Sequence, residues 1–385
     1  MNTKQLKLLA DIQTGPFGSQ LHKEDYVTVG TPIVTVEHLG NRVFTEQNLP
    51  MVSDTDKERL NKYVLKKGDI VFSRVGSVDR CSYVDAAHDG WMFSGRCLRV
   101  RPNEELDTLF LYYYFCLEET KQFVRNIAVG ATMPSINTKL LGEVPITYPD
   151  IDTQRKTAQV LATIDDRIEN NSKINDNLHE ILQSVFQSRF GLSEESARVG
   201  TLLEICAYSK DRVAVSKLGV KNYYSTENML PSKAGSVDAA SLPTTSQTTK
   251  CNIGDVLVSN IRPYFKKIVF CQSEGGCSTD VLCFTPKSPL LSSYLFCTLY
   301  ADSFFNYMVA GSKGTKMPRG DKQQIMTYPV AIPTEDELRA FDEVAQPILR
   351  QIHINSDENT YLAALRDTLL PKLMSGEIDV SDIQL

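Results

Sequence analysis

The chain has 385 residues, 42% apolar and 23% charged, which is enough apolar mass for two or three globular domains. Its 41 Lys and Arg against 47 Asp and Glu give a net charge of -6. That excludes a uniformly basic nucleic-acid binder and leaves room for a local basic face. The charge is unevenly placed, because residues 331–385 are strongly acidic while residues 191–330 are mildly basic.

In chain order, strand-like runs occur at 31–36 and 68–73, followed by an apolar helix-like stretch over 109–123. A loop containing Met133-Pro134 leads to a strand-like run at 144–149. A long amphipathic helix over 152–190 follows, with Val160, Ile164, Ile168, Ile174, Leu178, Ile181 and Val185 at helical spacing and Gly191 as its stop. The plan then recurs. Strand-like runs lie at 254–259 and 267–271, a helix-like stretch at 293–308, a Met317-Pro318 loop, and a strand-like run at 328–333. Thr334-Glu-Asp-Glu337 is a capping box opening a second long helix. Leu338, Phe341, Val344, Ile348, Ile352, Leu362, Leu365, Leu369 and Leu373 mark its apolar face. Pro347 is expected to kink or break it. Each helix carries an Asn on its stripe, Asn171 and Asn355, of the kind that fixes register between paired helices.

The two halves are copies. At a shift of 184 residues, Gly130, Met133, Pro134, Pro145 and Pro149 fall on Gly314, Met317, Pro318, Pro329 and Pro333. The register holds from about 93 to 182, through Asp152/Asp336, Arg155/Arg339 and Asn171/Asn355. Lys67-Gly-Asp-Ile-Val71 matches Ile253-Gly-Asp-Val-Leu257 at a shift of 186, and the first sixty or so residues of each half scarcely resemble each other. A helix over 152–190 would be about 58 Å long, more than a domain of this size needs. It is expected to act as a spacer, pairing antiparallel with its copy.

Catalytic signatures are missing. There is no Walker A motif, no G-x-S-x-G elbow and no Asn/Asp-Pro-Pro-aromatic tetrapeptide. The five His (22, 38, 88, 179 and 353) lack metal-ligand spacing. Gly311-Ser-Lys-Gly-Thr-Lys316 reads as a flexible basic loop, and Asp165-Asp166 as part of a solvated face. Nine Cys without a C-x-x-C pair read as reduced, buried thiols in a cytosolic protein. The residues Met1-Asn2-Thr3-Lys4-Gln5 hold no signal-peptide core, and no apolar run is long enough to predict a membrane span.

What is present are loops rich in Arg, Lys, Ser, Asn and Tyr at corresponding places in both halves. Candidates for phosphate or base contacts are Ser73, Arg74, Ser77, Arg80, Arg96, Thr132 and Lys139 in the first half. In the second they are Asn260, Arg262, Tyr264, Lys266, Lys267, Lys313, Lys316 and Arg319. Arg99, Arg101 and Lys322 lie close by in sequence. Arg74, Arg80, Asn260, Arg262 and Tyr264 are the candidates for reading base edges. Ile164, Ile168, Asn171, Leu178, Ile348, Ile352, Asn355 and Leu362 are candidates for helix pairing or partner docking.

These features together resemble the specificity subunits of type I restriction–modification systems. The resemblance is carried by Gly68-Asp-Ile-Val-Phe-Ser-Arg74, Gly130-Ala-Thr-Met-Pro134, Val144-Pro-Ile-Thr-Tyr-Pro149 running into Gln154-Arg-Lys156, and Leu369-Leu-Pro-Lys-Leu-Met-Ser-Gly-Glu377. It implies an α/β fold with two target-recognition domains related by a pseudo-two-fold axis and separated by two long antiparallel coiled-coil helices. The corresponding boundaries are 1–150 and 192–334 for the recognition domains, with spacer helices at 151–191 and 335–385. It implies a non-catalytic, cytoplasmic subunit that reads a bipartite, gapped target in double-stranded DNA and docks two methyltransferase subunits. Whether restriction subunits join is left open. No cofactor is expected on this chain, with S-adenosylmethionine and ATP on the partner subunits. The second repeat departs at Leu338, where the first has Gln154, and at Pro347, where the first has Thr163, so the spacer is expected to be asymmetric. A helical scaffold without DNA reading, or a single-chain nuclease or methyltransferase, are the competing readings.

Overall fold

The computed structural model describes residues 1–18, 20–40, 42–191 and 198–383. It comprises two compact units, one of Met1–Ile168 with Tyr361–Leu385 and the other of Glu169–Thr360.

In the first unit, β1 (Ala10–Thr14), β2 (Ile70–Ser73), β3 (Cys81–Tyr83) and β4 (Cys97–Pro102) form an antiparallel sheet in the order β1-β4-β2-β3. Every residue of β2 is buried because both faces of the sheet are covered. Ile70 and Phe72 join the core formed with the helices, while Val71 points into a second core on the opposite face. The turn into β2 needs its glycine, since Gly68 has φ +91°. Asp69 secures it by accepting the Lys66 amide at 2.8 Å.

A 40-residue helix, α1 (Ile151–Phe190), leads out of this unit. In the second unit, β5 (Cys206–Tyr208), β6 (Val256–Ser259), β7 (Ile268–Phe270) and β8 (Val281–Pro286) repeat the sheet in the corresponding order β5-β8-β6-β7. Val256 and Val258 face one core and Leu257 the other. Gly254, at φ +86°, and Asp255 rebuild the turn. A 41-residue helix, α2 (Glu335–Ser375), follows.

The remaining small sheet explains why the first sixty residues of the halves look unrelated. In the first unit, Thr31–Val34 is an inner strand and Met92–Phe93 lies at the edge. In the second, the counterpart of Met92–Phe93, Gly275–Cys277, is the inner strand, and Tyr223–Tyr224 lies at the edge. The parts are shared and the pairing differs.

Three expectations are corrected. The apolar stretches over 109–123 and 293–308 are each two helices, Thr108–Cys116 with Glu118–Ile127 and Ser292–Tyr300 with Asp302–Ala310. Each breaks at a residue with extended ψ, Leu117 or Ala301, which are counterparts in the repeat. Helix α2 runs on through Pro347, whose ring lies on an exposed face, so the one amide bond it forfeits leaves a carbonyl that water can satisfy. Asp165 is buried rather than solvated. It accepts from the Tyr113 hydroxyl at 2.7 Å and from Arg366 of α2 at 2.8 Å, while Asp166 pairs with Arg42.

Within the first unit, Ala158, Leu161 and Ala162 of α1 share a core with Leu370, Leu373 and Met374 of α2. Within the second, Leu182, Phe186 and Phe190 meet Leu338, Phe341, Ala345 and Leu349. The departure at Gln154 has a local cause. Its buried amide joins Asp107, Glu105 and Pro149, whereas Leu338 fills the corresponding place by apolar burial. A polar ladder also occupies the seam. Asn171 donates to Asn359 at 3.0 Å and Asn355 to Asn175 at 2.8 Å, so each asparagine meets the counterpart of the other's partner. Ile164 is buried, and Ile168, Leu178, Ile348, Ile352 and Leu362 are half-buried. Ile174 and Ile181 face outward, which splits the predicted stripe.

Asp165→Ala leaves Arg366 and Tyr113 without their shared acceptor and is expected to destabilise the first unit by about 2 kcal/mol, read as a lower denaturant midpoint. His179 of α1 stacks on Tyr300 at 4.6 Å, and burial holds its pKa down to about 4 from 6.5. Its neutral form is favoured in the fold, so stability is full above pH 6.5 and is lost as pH falls toward 4. His179→Phe should flatten that acid limb of the unfolding midpoint.

Candidate nucleic-acid interface

The loop joining β2 to β3 (residues 74–80) lies against the Met-Pro loop of its own unit. Val75 bridges Ser135, Ser135 bridges Val129, and the Gly76 amide donates to the Pro134 carbonyl at 2.8 Å. In the second unit the loop joining β6 to β7 (residues 260–267) does the same. Ile261 bridges Arg319, Arg319 bridges Lys313, and the Arg262 amide donates to the Pro318 carbonyl at 2.8 Å. These partners are related by the shifts of 186 and 184 seen in the sequence, so the duplication extends to single hydrogen bonds. Ser73 and Ser259 are part of it, each buried and donating to the carbonyl two residues on, Val75 or Ile261.

The candidates have different fates. In the first unit, Ser77, Arg96, Thr132 and Lys139 are exposed. Arg74 donates to the Gly95 carbonyl at 3.1 Å and lies 5.4 Å from the Phe17 ring, while Arg80 reaches back to the Leu39 carbonyl. Arg99 and Arg101 are held by Asp11 and the buried Asp69 and brace the sheet. In the second unit, Asn260 is buried. Lys266 pairs with Asp302 at 2.9 Å and Lys267 donates to the Thr226 carbonyl. Lys313 pairs with Asp321, and Arg319 with Asp280. Desolvation lowers the Lys267 pKa, and Lys233 and Lys266 together hold the Asp302 carboxyl below its ordinary value. Lys316 and Tyr264 are exposed.

Some exposed side chains at these loops escaped the sequence reading. Phe17, Met133, Phe265 and Met317 are each at least 40% exposed. The Gly15-Pro-Phe-Gly18 turn was the available signal for Phe17, since glycines flanking a proline-aromatic pair mark a loop tip. Among the described residues no group of three His, Cys, Asp or Glu side chains could hold a metal ion, and no helix is long and apolar enough to cross a membrane.

The class is that of a duplicated α/β protein whose two units carry matching hydrogen-bonded loop pairs and share two long helices. Residues 1–180 match the family model described as type I restriction modification DNA specificity domain. Over 99% of its length the chain is 22% identical to the type I restriction enzyme MjaIX specificity subunit of Methanocaldococcus jannaschii, covering 94% of that protein. Over 133 residues, 34% of this chain and 29% of the relative, it is 31% identical to the HindI specificity subunit of Haemophilus influenzae. The crystal structure of a type I restriction–modification system S subunit from M. genitalium superposes with a TM-score of 0.61 at 17% identity, covering 97% of this chain and 95% of that one. Residues 1–180 thus carry a type I restriction modification DNA specificity domain, and the chain as a whole is similar in sequence to specificity subunits of type I restriction enzymes.

Lys316 has no carboxylate partner among the described residues and sits at a loop tip. Lys316→Ala should weaken binding to all duplexes alike and reduce the slope of log K against log salt by about 0.9, measured by a salt titration of DNA affinity.

Proposed function

We propose that the chain is the DNA-recognition subunit of a type I restriction–modification complex and reads a bipartite, gapped target, one half-site per unit. The observation that carries this is the repeated loop pair. In each α/β unit two loops locked together by matching hydrogen bonds present cationic side chains, with Phe17 beside the first pair and Tyr264 and Phe265 on the second. A rigid loop platform suits major-groove reading, where base edges are distinguished by donors and acceptors held in place. Phosphates would be met by Lys139, Lys316 and Arg96, which lie at exposed positions.

In this reading the chain performs no catalysis. Two methyltransferase subunits, bringing S-adenosylmethionine, would dock along the helices, where Ile174, Ile181 and Ile354 expose apolar surface. Restriction subunits and their ATP would join through those partners. A scaffold without DNA reading has no use for two copies of a hydrogen-bonded cationic loop pair.

Modified-base sequencing of the native genome, with and without the gene, tests the reading. Methylation should vanish from one asymmetric, gapped motif when the gene is removed. Unchanged methylation, with the partner methyltransferase shown to be expressed, would favour the scaffold.

A further inference from the structure

Gly76 and Arg262 occupy the same place in the two units. Each amide donates at 2.8 Å to the proline of its Met-Pro loop. The backbone there is left-handed in both, with φ +76° at Gly76 and +50° at Arg262. Glycine takes that conformation freely, whereas an L side chain is strained in it. The second unit therefore keeps an arginine where its own copy shows that the fold is served by glycine, and retained strain of this kind marks functional positions.

The surroundings of Arg262 point the same way. Lys266, Lys267, Lys313 and Arg319 each have an acceptor within the unit. The half-buried Arg262 guanidinium has none among the described residues, and its Nε is buried without a hydrogen bond. A planar donor fork, pinned at its Cα and left unpaired, is suited to a planar acceptor pair approached from one direction. Guanine offers this pair in the major groove through O6 and N7. A phosphate can be met from many directions and does not require a strained anchor. The exposed Tyr264 and Phe265 rings, 4.8 Å apart, flank the position and supply apolar contact.

We propose that Arg262 reads a guanine in the half-site bound by the second unit, an inference that rests on the DNA-reading function above. The test co-expresses the chain with its methyltransferase partner subunits in a host free of other DNA methylation and maps modified bases. The wild-type motif should contain a G·C pair at a position that becomes degenerate in Arg262→Ala and Arg262→Gly, with discrimination falling roughly ten- to a hundredfold and every other position kept. Arg262→Lys should keep the charge and still lose most of the discrimination. Because glycine relieves the backbone, the unfolding midpoint of Arg262→Gly should be no lower than that of wild type. An unchanged motif overturns the proposal. So does a uniform loss of methylation at all sites, which would make Arg262 a phosphate contact if the midpoint holds and a structural residue if it drops. A wild-type complex that writes no motif overturns the DNA-reading function itself and this proposal with it.

Discussion

Burial of the ends of two long helices is the constraint on which both units depend. A 40-residue amphipathic helix owes most of its stability in water to what its apolar face meets. Here that face is used in parts. Ala158 and Leu161 close the core of the first unit and Phe186 and Phe190 that of the second, with α2 contributing to both in the opposite chain order. Neither unit has a complete core without segments of both helices. Between the apolar ends the seam is partly polar, where Asn171 pairs with Asn359 and Asn355 with Asn175 beside half-buried Ile168, Leu178, Ile352 and Leu362.

On this frame, duplication supplied two copies of a loop platform that have since diverged in chemistry. The Gly-Asp turn survives in both, but its buried carboxylate has different company. Asp69 is neutralised by Arg101, while Thr285 stands in the corresponding place near Asp255, whose pKa burial raises. The first platform sets its arginine against Phe17, a ring contributed from outside the repeat, and the second carries Tyr264 and Phe265 on the loop itself. Two platforms of common descent therefore present different surfaces.

Much of this was legible from residue types and spacing. The repeat register placed cationic loops at corresponding positions in both halves, next to the Gly-Asp and Met-Pro signatures, without announcing that the loops of each half pair with each other. The capping box at Thr334 formed, with Glu337 accepting the Thr334 amide at 2.7 Å. What stayed hidden depended on partners distant in sequence. Nothing local to Asp165 announces Arg366, two hundred residues on, and nothing local to Lys266 announces Asp302. Arg99 and Arg101 looked like the loop arginines beside them, and only strand pairing brings Asp11 and Asp69 to them. Leu117 and Ala301 are themselves compatible with helix, so neither announces its break; the only local signals are the acidic first turns that follow, Glu118-Glu119 and Asp302.

The shared helices also impose an order on folding. The second unit is one continuous stretch, Glu169–Thr360, whereas the first draws Leu370, Leu373, Met374 and Val380 from beyond that stretch. During translation, residues 1–168 emerge before the second unit yet lack part of their core until residues 370–380 have been made. Until then the surface of α1 that carries Ala158 and Leu161 is without the α2 segment that covers it. The later-made unit can thus finish before the earlier one, and the waiting apolar surface is where a chaperone would find its substrate.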